Sequence, residues 1–221
     1  MGWVIATFGL SLAGCAIGFW AQLRETVWMW VALVGVQVPT ALVALRELVK
    51  EGEWRARLEP RWGDLTIAAL TAGGMLLFLR LGVYVASPMG GRIRGWLEAA
   101  YAQVGSSAWV EEHWGAMLGA VVVLAVLSEL SWRGLVLRRL EQRLGSRRAW
   151  PVTGLLYGLS YLPTMWLLSD QGAVNPVVPL AACLAGSMWS FVALRFDRLM
   201  PAILSHGLFL WFVIAQLRFF V

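Results

Sequence analysis

The sequence is poor in charge, in cysteine and in lysine. Only 14% of its 221 residues are charged, Lys50 is the single lysine, and Cys15 and Cys183 are the two cysteines. A soluble domain carries about 25% charged residues, whereas disulfide frameworks and zinc sites need several cysteines at characteristic spacings. The sparse cysteines exclude a disulfide-stapled secreted domain, and the low charge argues against a soluble fold. We predict neither a bound metal nor a cofactor.

The sequence is instead rich in apolar residues. They make up 59% of the chain, and the mean hydropathy is +0.68. Strand-like alternation is absent, and a spanning helix needs about 20 apolar residues. We therefore predict an all-α fold, a polytopic transmembrane helix bundle that forms one integral membrane domain over residues 1–221. The seven predicted spans are about 2–22, 27–45, 65–87, 115–137, 151–168, 174–194 and 199–217.

Two stretches between the spans are predicted to form helices at the membrane surface. Residues 46–64 interleave dense mixed charge with Leu48, Trp54 and Trp62, a pattern typical of an interfacial helix. The stretch 88–114 opens with Pro88, Gly90 and Gly91, and we predict a second interfacial helix in it around 96–102.

Basic residues are distributed unequally between the two sides of this predicted bundle. Twelve Lys and Arg residues fall on the side of the N-terminus, and the other side holds Arg24, Arg92, Arg94 and Arg218. The positive-inside rule then places the N-terminus in the cytoplasm. Because topology accounts for the net charge of +5, we predict the lipid bilayer and no nucleic acid as the partner. The arginine bias indicates the inner membrane of a bacterium.

Four polar residues lie where a membrane span should be apolar. Glu129 and Arg133 are four residues apart and share a helix face. At 1.5 Å per residue, Glu129, Tyr161 and His206 lie roughly 10–15 Å from the same end of their spans. Ionisable residues inside a membrane are functional candidates by default, while a self-neutralising Glu129–Arg133 pair that orients helices is the alternative.

These segments resemble the CPBP family of intramembrane endopeptidases, which includes the CAAX prenyl proteases. Residues 128–134 read Ser-Glu-Leu-Ser-Trp-Arg-Gly against the family motif Glu-Glu-x-x-Phe-Arg-Gly. Residues 157–161 stand at the Phe-x-x-x-His motif and residues 206–210 at the His-x-x-x-Asn motif, so the similarity covers about 115–217. The resemblance implies catalytic positions at Glu129, His206 and Tyr161, with supporting positions at Ser128, Trp132 and Arg133.

Three positions depart from the family pattern. Ser128 stands where the family has the glutamate that activates water, Tyr161 replaces a histidine, and Leu210 replaces an asparagine. A serine is no carboxylate base, and leucine donates no hydrogen bond. We therefore expect a non-catalytic member of this fold: a membrane scaffold, an accessory subunit of a membrane complex, or a binder of a membrane or lipidated peptide.

Two other functions stay open at this point. An active intramembrane endopeptidase could use Glu129 and His206 as a base dyad with Tyr161 as a hydrogen-bond donor, provided that the carboxylate lies within reach of the imidazole. A small transporter would instead need a water-filled path lined by Arg80, Gln37 and Glu129.

Overall fold

The computed structural model describes residues 1–86, 91–170 and 172–215. Helices make up 83% of the structure, and no strand occurs in the described part of the chain. The all-helical prediction is thus confirmed. The helices are α1 (Gly2–Gly18), α2 (Val27–Gly35), α3 (Val38–Lys50), α4 (Trp54–Leu58), α5 (Asp64–Ala86), α6 (Gly91–Val104), α7 (Ser107–Glu112), α8 (Trp114–Glu129), a π-helical segment (Leu130–Leu137), α9 (Arg138–Leu144), α10 (Ser146–Leu159), α11 (Thr164–Leu167), α12 (Val177–Phe196) and α13 (Met200–Ala215).

Within the described residues, three helices are long and apolar enough to cross a membrane: Asp64–Val85, Trp114–Leu144 and Val177–Phe196. Helices α2 and α3 together make a fourth candidate span, bent by 41°. Helices α1 and α13 are apolar but have only 17 and 16 residues, close to the shortest length that spans a bilayer. The structure therefore supports three to four spans, and the count of seven stays a prediction.

The span predicted at 27–45 corresponds to this bent pair, and its helix is broken at Val36 and Gln37. Pro39 lies in the first turn of α3. Its ring has no N–H to donate to the carbonyl four residues earlier and clashes with that group, so the helix cannot continue through it. Helix α3 then runs on to Lys50, and the interfacial helix predicted over 46–64 is reduced to the five residues of α4.

Two further boundaries differ from the sequence prediction. The continuous helix predicted over 151–168 ends at Leu159, four residues before Pro163, which favours a turn rather than a continued helix. Conversely, the predicted loop 138–149 is largely helical, because Trp114–Leu144 forms one 31-residue helical stretch. Gly145, with φ +73°, ends this stretch in a conformation that favours glycine.

The second helix predicted between the spans is present and longer than expected, and its location at the membrane surface stays a prediction. It is α6, which covers 91–104 instead of 96–102. Pro88, Gly90, Arg218 and the predicted span ends at 87 and 216–217 lie outside the described residues.

One end of the bundle, here called the basic end, is held by ion pairs between the predicted loops. Arg138 contacts Glu51 at 2.5 Å, Arg57 contacts Asp197 at 2.9 Å, and Arg198 pairs with Asp64. Arg57 also donates to Glu53 at 2.8 Å, and this hydrogen bond lowers the pKa of the Glu53 carboxyl. These contacts join the ends of α3, α4, α5, α9 and α12.

Helix α10, which carries the start of the second motif, packs closely against α12. A side chain at Gly158 would lie only 2.5 Å from Cβ of Cys183, and one at Gly186 only 2.7 Å from the ring of Tyr157. Such distances are shorter than van der Waals contact, so these glycines set the helix separation. The backbone of α12 thereby comes within reach of side chains from the π-helical segment.

Candidate functional site

The first motif lies across the transition from α8 to the π-helical segment. Glu129 ends α8, and all eight residues of Leu130–Leu137 are buried. A π-helix is rare and is frequently found at functional sites, because it alters the helical register of the side chains that follow. The backbone here is close to its neighbours, since a side chain at Gly134 would meet Ala44 and Leu199 at 3.5 Å.

Glu129 is the centre of a buried charged cluster, which we call the ionic cluster (Glu129, Arg133 and His206). Its Oε1 accepts a hydrogen bond from Nη1 of Arg133 at 3.0 Å and lies 2.7 Å from Nδ1 of His206. All three side chains are at most 1% exposed. The geometry brings together the two helices that carry the first and third motifs.

The guanidinium of Arg133 donates hydrogen bonds to protein groups from each of its three nitrogens. Beyond Glu129, its Nη2 donates to the carbonyl of Gly186 at 2.7 Å, and its Nε donates to Ser190 Oγ at 3.2 Å. Its guanidinium carbon lies 4.9 Å from the ring centroid of Tyr157 and 5.5 Å from that of Trp189. These contacts stabilise a charge that would otherwise be very costly in a membrane interior.

His206 is fixed from two directions. Nδ1 faces Glu129, and the imidazole stacks on Trp189 with ring centroids 3.8 Å apart and an interplanar angle of 18°. Trp189 is itself held by a hydrogen bond from its Nε1 to Ser205 Oγ at 3.2 Å. The ring orientation of His206 is therefore set by packing as well as by hydrogen bonding.

Tyr161 lies beside the ionic cluster without joining it. Its hydroxyl is 3.2 Å from that of Tyr157, and no hydrogen bond joins it to Glu129 or His206 in the described part of the chain. Tyr157 separates them, with edge-to-face contacts to Tyr161, Trp132 and Trp189. Trp132 is completely buried and packs on the ring that covers Arg133. Thus the structure brings Glu129, Arg133 and His206 together, whereas the ring of Tyr157 lies between Tyr161 and this cluster.

The other two departures from the family pattern point away from the ionic cluster. Ser128 is 1% exposed and lines a small void on the side of Gln37, Tyr157 and Tyr161. Leu210, one turn after His206, packs in a separate apolar cluster with Met29 and Trp30. The side chains of Ser128 and Leu210 are both uncharged.

An apolar cavity borders the site. It has a volume of about 220 Å³, and His206, Tyr157 and Tyr161 are in its wall. An outer groove of about 620 Å³ lies against α5, α6 and α12 and has only apolar residues and glycines among its described walls. Six residues line both spaces: Leu79, Leu97, Val177, Ala181, Ala185 and Phe209.

The carboxylate of Glu129 lines neither of these spaces, as far as the described residues go. Its Oε1 is bonded to two nitrogens, and its Oε2 is buried without a partner. Oε2 keeps its lone pairs free, but because Glu129 does not border the cavity, a water molecule would have to enter the ionic cluster to give this carboxylate a proton. The ionic cluster as it stands joins helices, and His206 is its member in the cavity wall.

Sequence reasoning missed several residues of this site. Trp189, Ser190 and Gly186 stand on α12, which carries none of the three motifs, so only the packing of α12 on α10 reveals them. Tyr157 opens the second motif and could have been found there. No group of three or more His, Cys, Asp and Glu side chains that could hold a metal ion occurs in the part of the chain that the structure describes.

Comparison with known proteins identifies the motif-bearing half of the chain. Residues 109–212 match the family model described as type II CAAX prenyl endopeptidase Rce1-like. The resemblance to the CPBP family is thus confirmed, and the match overlaps the region predicted from the motifs. No curated protein and no solved structure matches the chain.

Proposed function

We propose, starting from the Rce1-like domain at residues 109–212, that this membrane protein is a non-catalytic binder of a membrane or lipidated peptide. The observation that carries the proposal is the separation of cavity and carboxylate. The apolar cavity reaches His206 and Tyr161, whereas Glu129 is 0% exposed and bonded to Arg133 and His206. An occupant of the cavity meets aromatic and aliphatic walls and the His206 ring, but not the carboxylate of Glu129.

The position of the lost family residues supports the same proposal. Ser128 replaces the glutamate that, by resemblance, activates water, and the Leu210 side chain in the cavity wall cannot stabilise an oxyanion by hydrogen bonding. Glu129, Arg133 and His206 remain, and their contacts link α8, α12 and α13. The retained charges account for helix packing without any catalytic role.

Site-specific photo-crosslinking tests the binding half of this proposal. We would place a photoreactive amino acid at Leu210, in the cavity wall, and at Leu155, which is 50% exposed and borders neither space. The probes are one single-span peptide and its prenylated form, in lipid nanodiscs. We expect crosslinks at position 210 and background at position 155. Equal labelling at both positions would contradict a binding cavity.

An active endopeptidase is the second candidate, and one distance favours it. Nδ1 of His206 lies 2.7 Å from Glu129 Oε1, which is within direct reach for a base dyad. In that case the wild type cleaves a membrane peptide, and Glu129→Gln, which keeps the size of the side chain, does not. In the non-catalytic case neither protein cleaves it.

A membrane protein partner is a further part of the proposal, and α5 supports it. Only 11% of its spanning window is buried within this chain, and Leu70, Phe78 and Tyr84 are among its exposed side chains. Lipid or a second protein can cover such a face. Purification from the native membranes in mild detergent tests this, because a stoichiometric companion would support an accessory subunit and a lone monomer would argue against it.

For localisation, we propose a bacterial inner membrane with the N-terminus in the cytoplasm. Val4 packs in the same core cluster as Leu48 and Leu140, which lie near the basic end. The positive-inside rule assigns such an end to the cytoplasm. Reporter fusions at the N-terminus and within Arg139–Ser146 should both report the cytoplasmic side.

A further inference from the structure

A small polar void lies beside the ionic cluster, and Tyr157 borders both. We call it the Gln37 void. Its volume is about 10 Å³, close to the least space that holds one water molecule. The residues in its wall are Ser11, Cys15, Leu33, Val36, Gln37, Leu124, Ser128, Tyr157, Ser160 and Tyr161.

The side chain of Gln37 borders this void, and its amide oxygen has no hydrogen-bond donor among the described residues. Its side chain is on the break between α2 and α3 and is 6% exposed. Its Nε2 donates to Ser11 Oγ at 3.1 Å, while its Oε1 is buried without a hydrogen-bond partner in the described part of the chain. A buried amide oxygen left unpaired destabilises the folded state, because it has given up its hydrogen bonds to water. We therefore expect a hydrogen-bond donor to occupy the void beside Gln37 Oε1.

The backbone carbonyl of Gln37 already has hydrogen-bond donors and does not need one from the void. The Gln37 carbonyl already accepts from Thr40 Oγ1 at 3.1 Å, from Ser131 Oγ at 3.2 Å and from the Ala41 amide at 2.9 Å. These bonds fix the break against the π-helical segment. Only the side-chain oxygen of Gln37 is left over.

The other polar groups in the wall are neutral hydroxyls. Ser11, Ser128 and Ser160 supply three, and Tyr157 and Tyr161 supply phenols. A hydroxyl both donates and accepts, so a ligand here can accept from Ser128 while it donates to Gln37 Oε1. With no carboxylate in the wall, a neutral ligand fits better than a cation.

We propose that the Gln37 void binds one water molecule, held between Gln37 Oε1 and the hydroxyl of Ser128. The bound water joins the α2–α3 break to α8 through neutral hydrogen bonds. It also explains how the chain tolerates Ser128 next to the unpaired oxygen of Gln37. The proposal does not depend on whether the apolar cavity binds a peptide.

A crystal structure grown from a lipid phase tests the proposal directly on the full chain. We expect one density peak in the Gln37 void at hydrogen-bond distance, about 2.7–3.2 Å, from Gln37 Oε1 and Ser128 Oγ. An empty void, or a peak with the shorter contacts and higher coordination of a bound cation, would overturn it. This outcome is read without any peptide, so it is distinct from failure of the proposed binding function.

Two variants test the same site in solution. Ser128→Ala and Gln37→Met each remove one partner of the water, and we expect the Tm to fall by about 2–4 °C, since each change removes a buried hydrogen bond. Ser187→Ala is the matched control, because Ser187 Oγ donates to Cys183 O in its own helix and is not in this wall. If Ser128→Ala and Gln37→Met melt no lower than Ser187→Ala, the proposal is wrong. If a variant does not fold, the density in the wild type decides.

Discussion

Two polar regions flank α8, and they differ in charge. The ionic cluster is built on Glu129 and holds buried charges that bond to each other and to α12. The Gln37 void is built on Ser128, one residue earlier, and holds neutral hydroxyls and an amide. Adjacent helical residues point about 100° apart. A replacement at position 128 therefore changes one region and leaves the other intact, so packing and chemistry can be lost separately.

The largest expected effect comes from breaking the ionic cluster. Glu129→Ala leaves Arg133 buried without its carboxylate, and removing one partner of a buried pair destabilises by about 3–5 kcal/mol. Unfolding in detergent micelles, followed by circular dichroism, measures this. Ser128→Ala, on the neutral side of the same helix, is the control and should be much less destabilised. Equal destabilisation by the two changes would remove the distinction between the regions.

Replacing the histidine separates its two contacts. His206→Phe keeps an aromatic ring that can stack on Trp189 but removes the hydrogen bond to Glu129. Hydrogen bonds to charged groups contribute about 1.5–3 kcal/mol, so we expect a loss in that range by the same melting experiment. A variant as stable as the wild type would show that stacking alone fixes this helix.

Filling the apolar cavity should affect binding more than stability. Ala181 borders both the cavity and the outer groove, so Ala181→Phe places a ring in open space. We expect the affinity for a prenylated single-span peptide to fall at least about tenfold, which corresponds to about 1.4 kcal/mol, with little change in Tm. Leu155→Phe, outside both spaces, is the control. Unchanged affinity in Ala181→Phe would place the peptide elsewhere.

The smallest effect is expected at the basic end, far from both regions. Arg57 lowers the pKa of Glu53 below its ordinary value of 4.5, so the folded state favours the ionised form. This contribution to stability is present above pH 4.5 and is lost as the pH falls through the folded-state pKa. Glu53→Gln should therefore flatten the acid limb of a Tm-versus-pH curve slightly, because exposed pairs contribute little. Glu59→Gln, whose side chain has no partner among the described residues, should leave the curve unchanged.

Spacing along single helices made part of this site predictable. Glu129 and Arg133 are four residues apart, and the expected pair is present at 3.0 Å. The similar depths of Glu129 and His206 indicated that they could meet, and they lie 2.7 Å apart. Both inferences need only the rise of a helix and a common membrane frame.

Contacts between distant helices could not be predicted in this way. The role of Trp189 depends on how tightly α12 packs on α10, which glycines at 158 and 186 set. The void at Gln37 depends on a helix break that Pro39 could have signalled. Apolar length also gave a wrong helix end, because a run such as 151–168 does not reveal that the helix ends at Leu159.

Cleavage measured by mass spectrometry tests the central claim most directly. A lipidated single-span peptide would be incubated in nanodiscs with the wild type and with Glu129→Gln, with crosslinking at position 210 as proof that the peptide is bound. The account predicts a bound and intact peptide with both proteins. Products that appear with the wild type and disappear with Glu129→Gln would contradict it and establish the Glu129–His206 pair as catalytic.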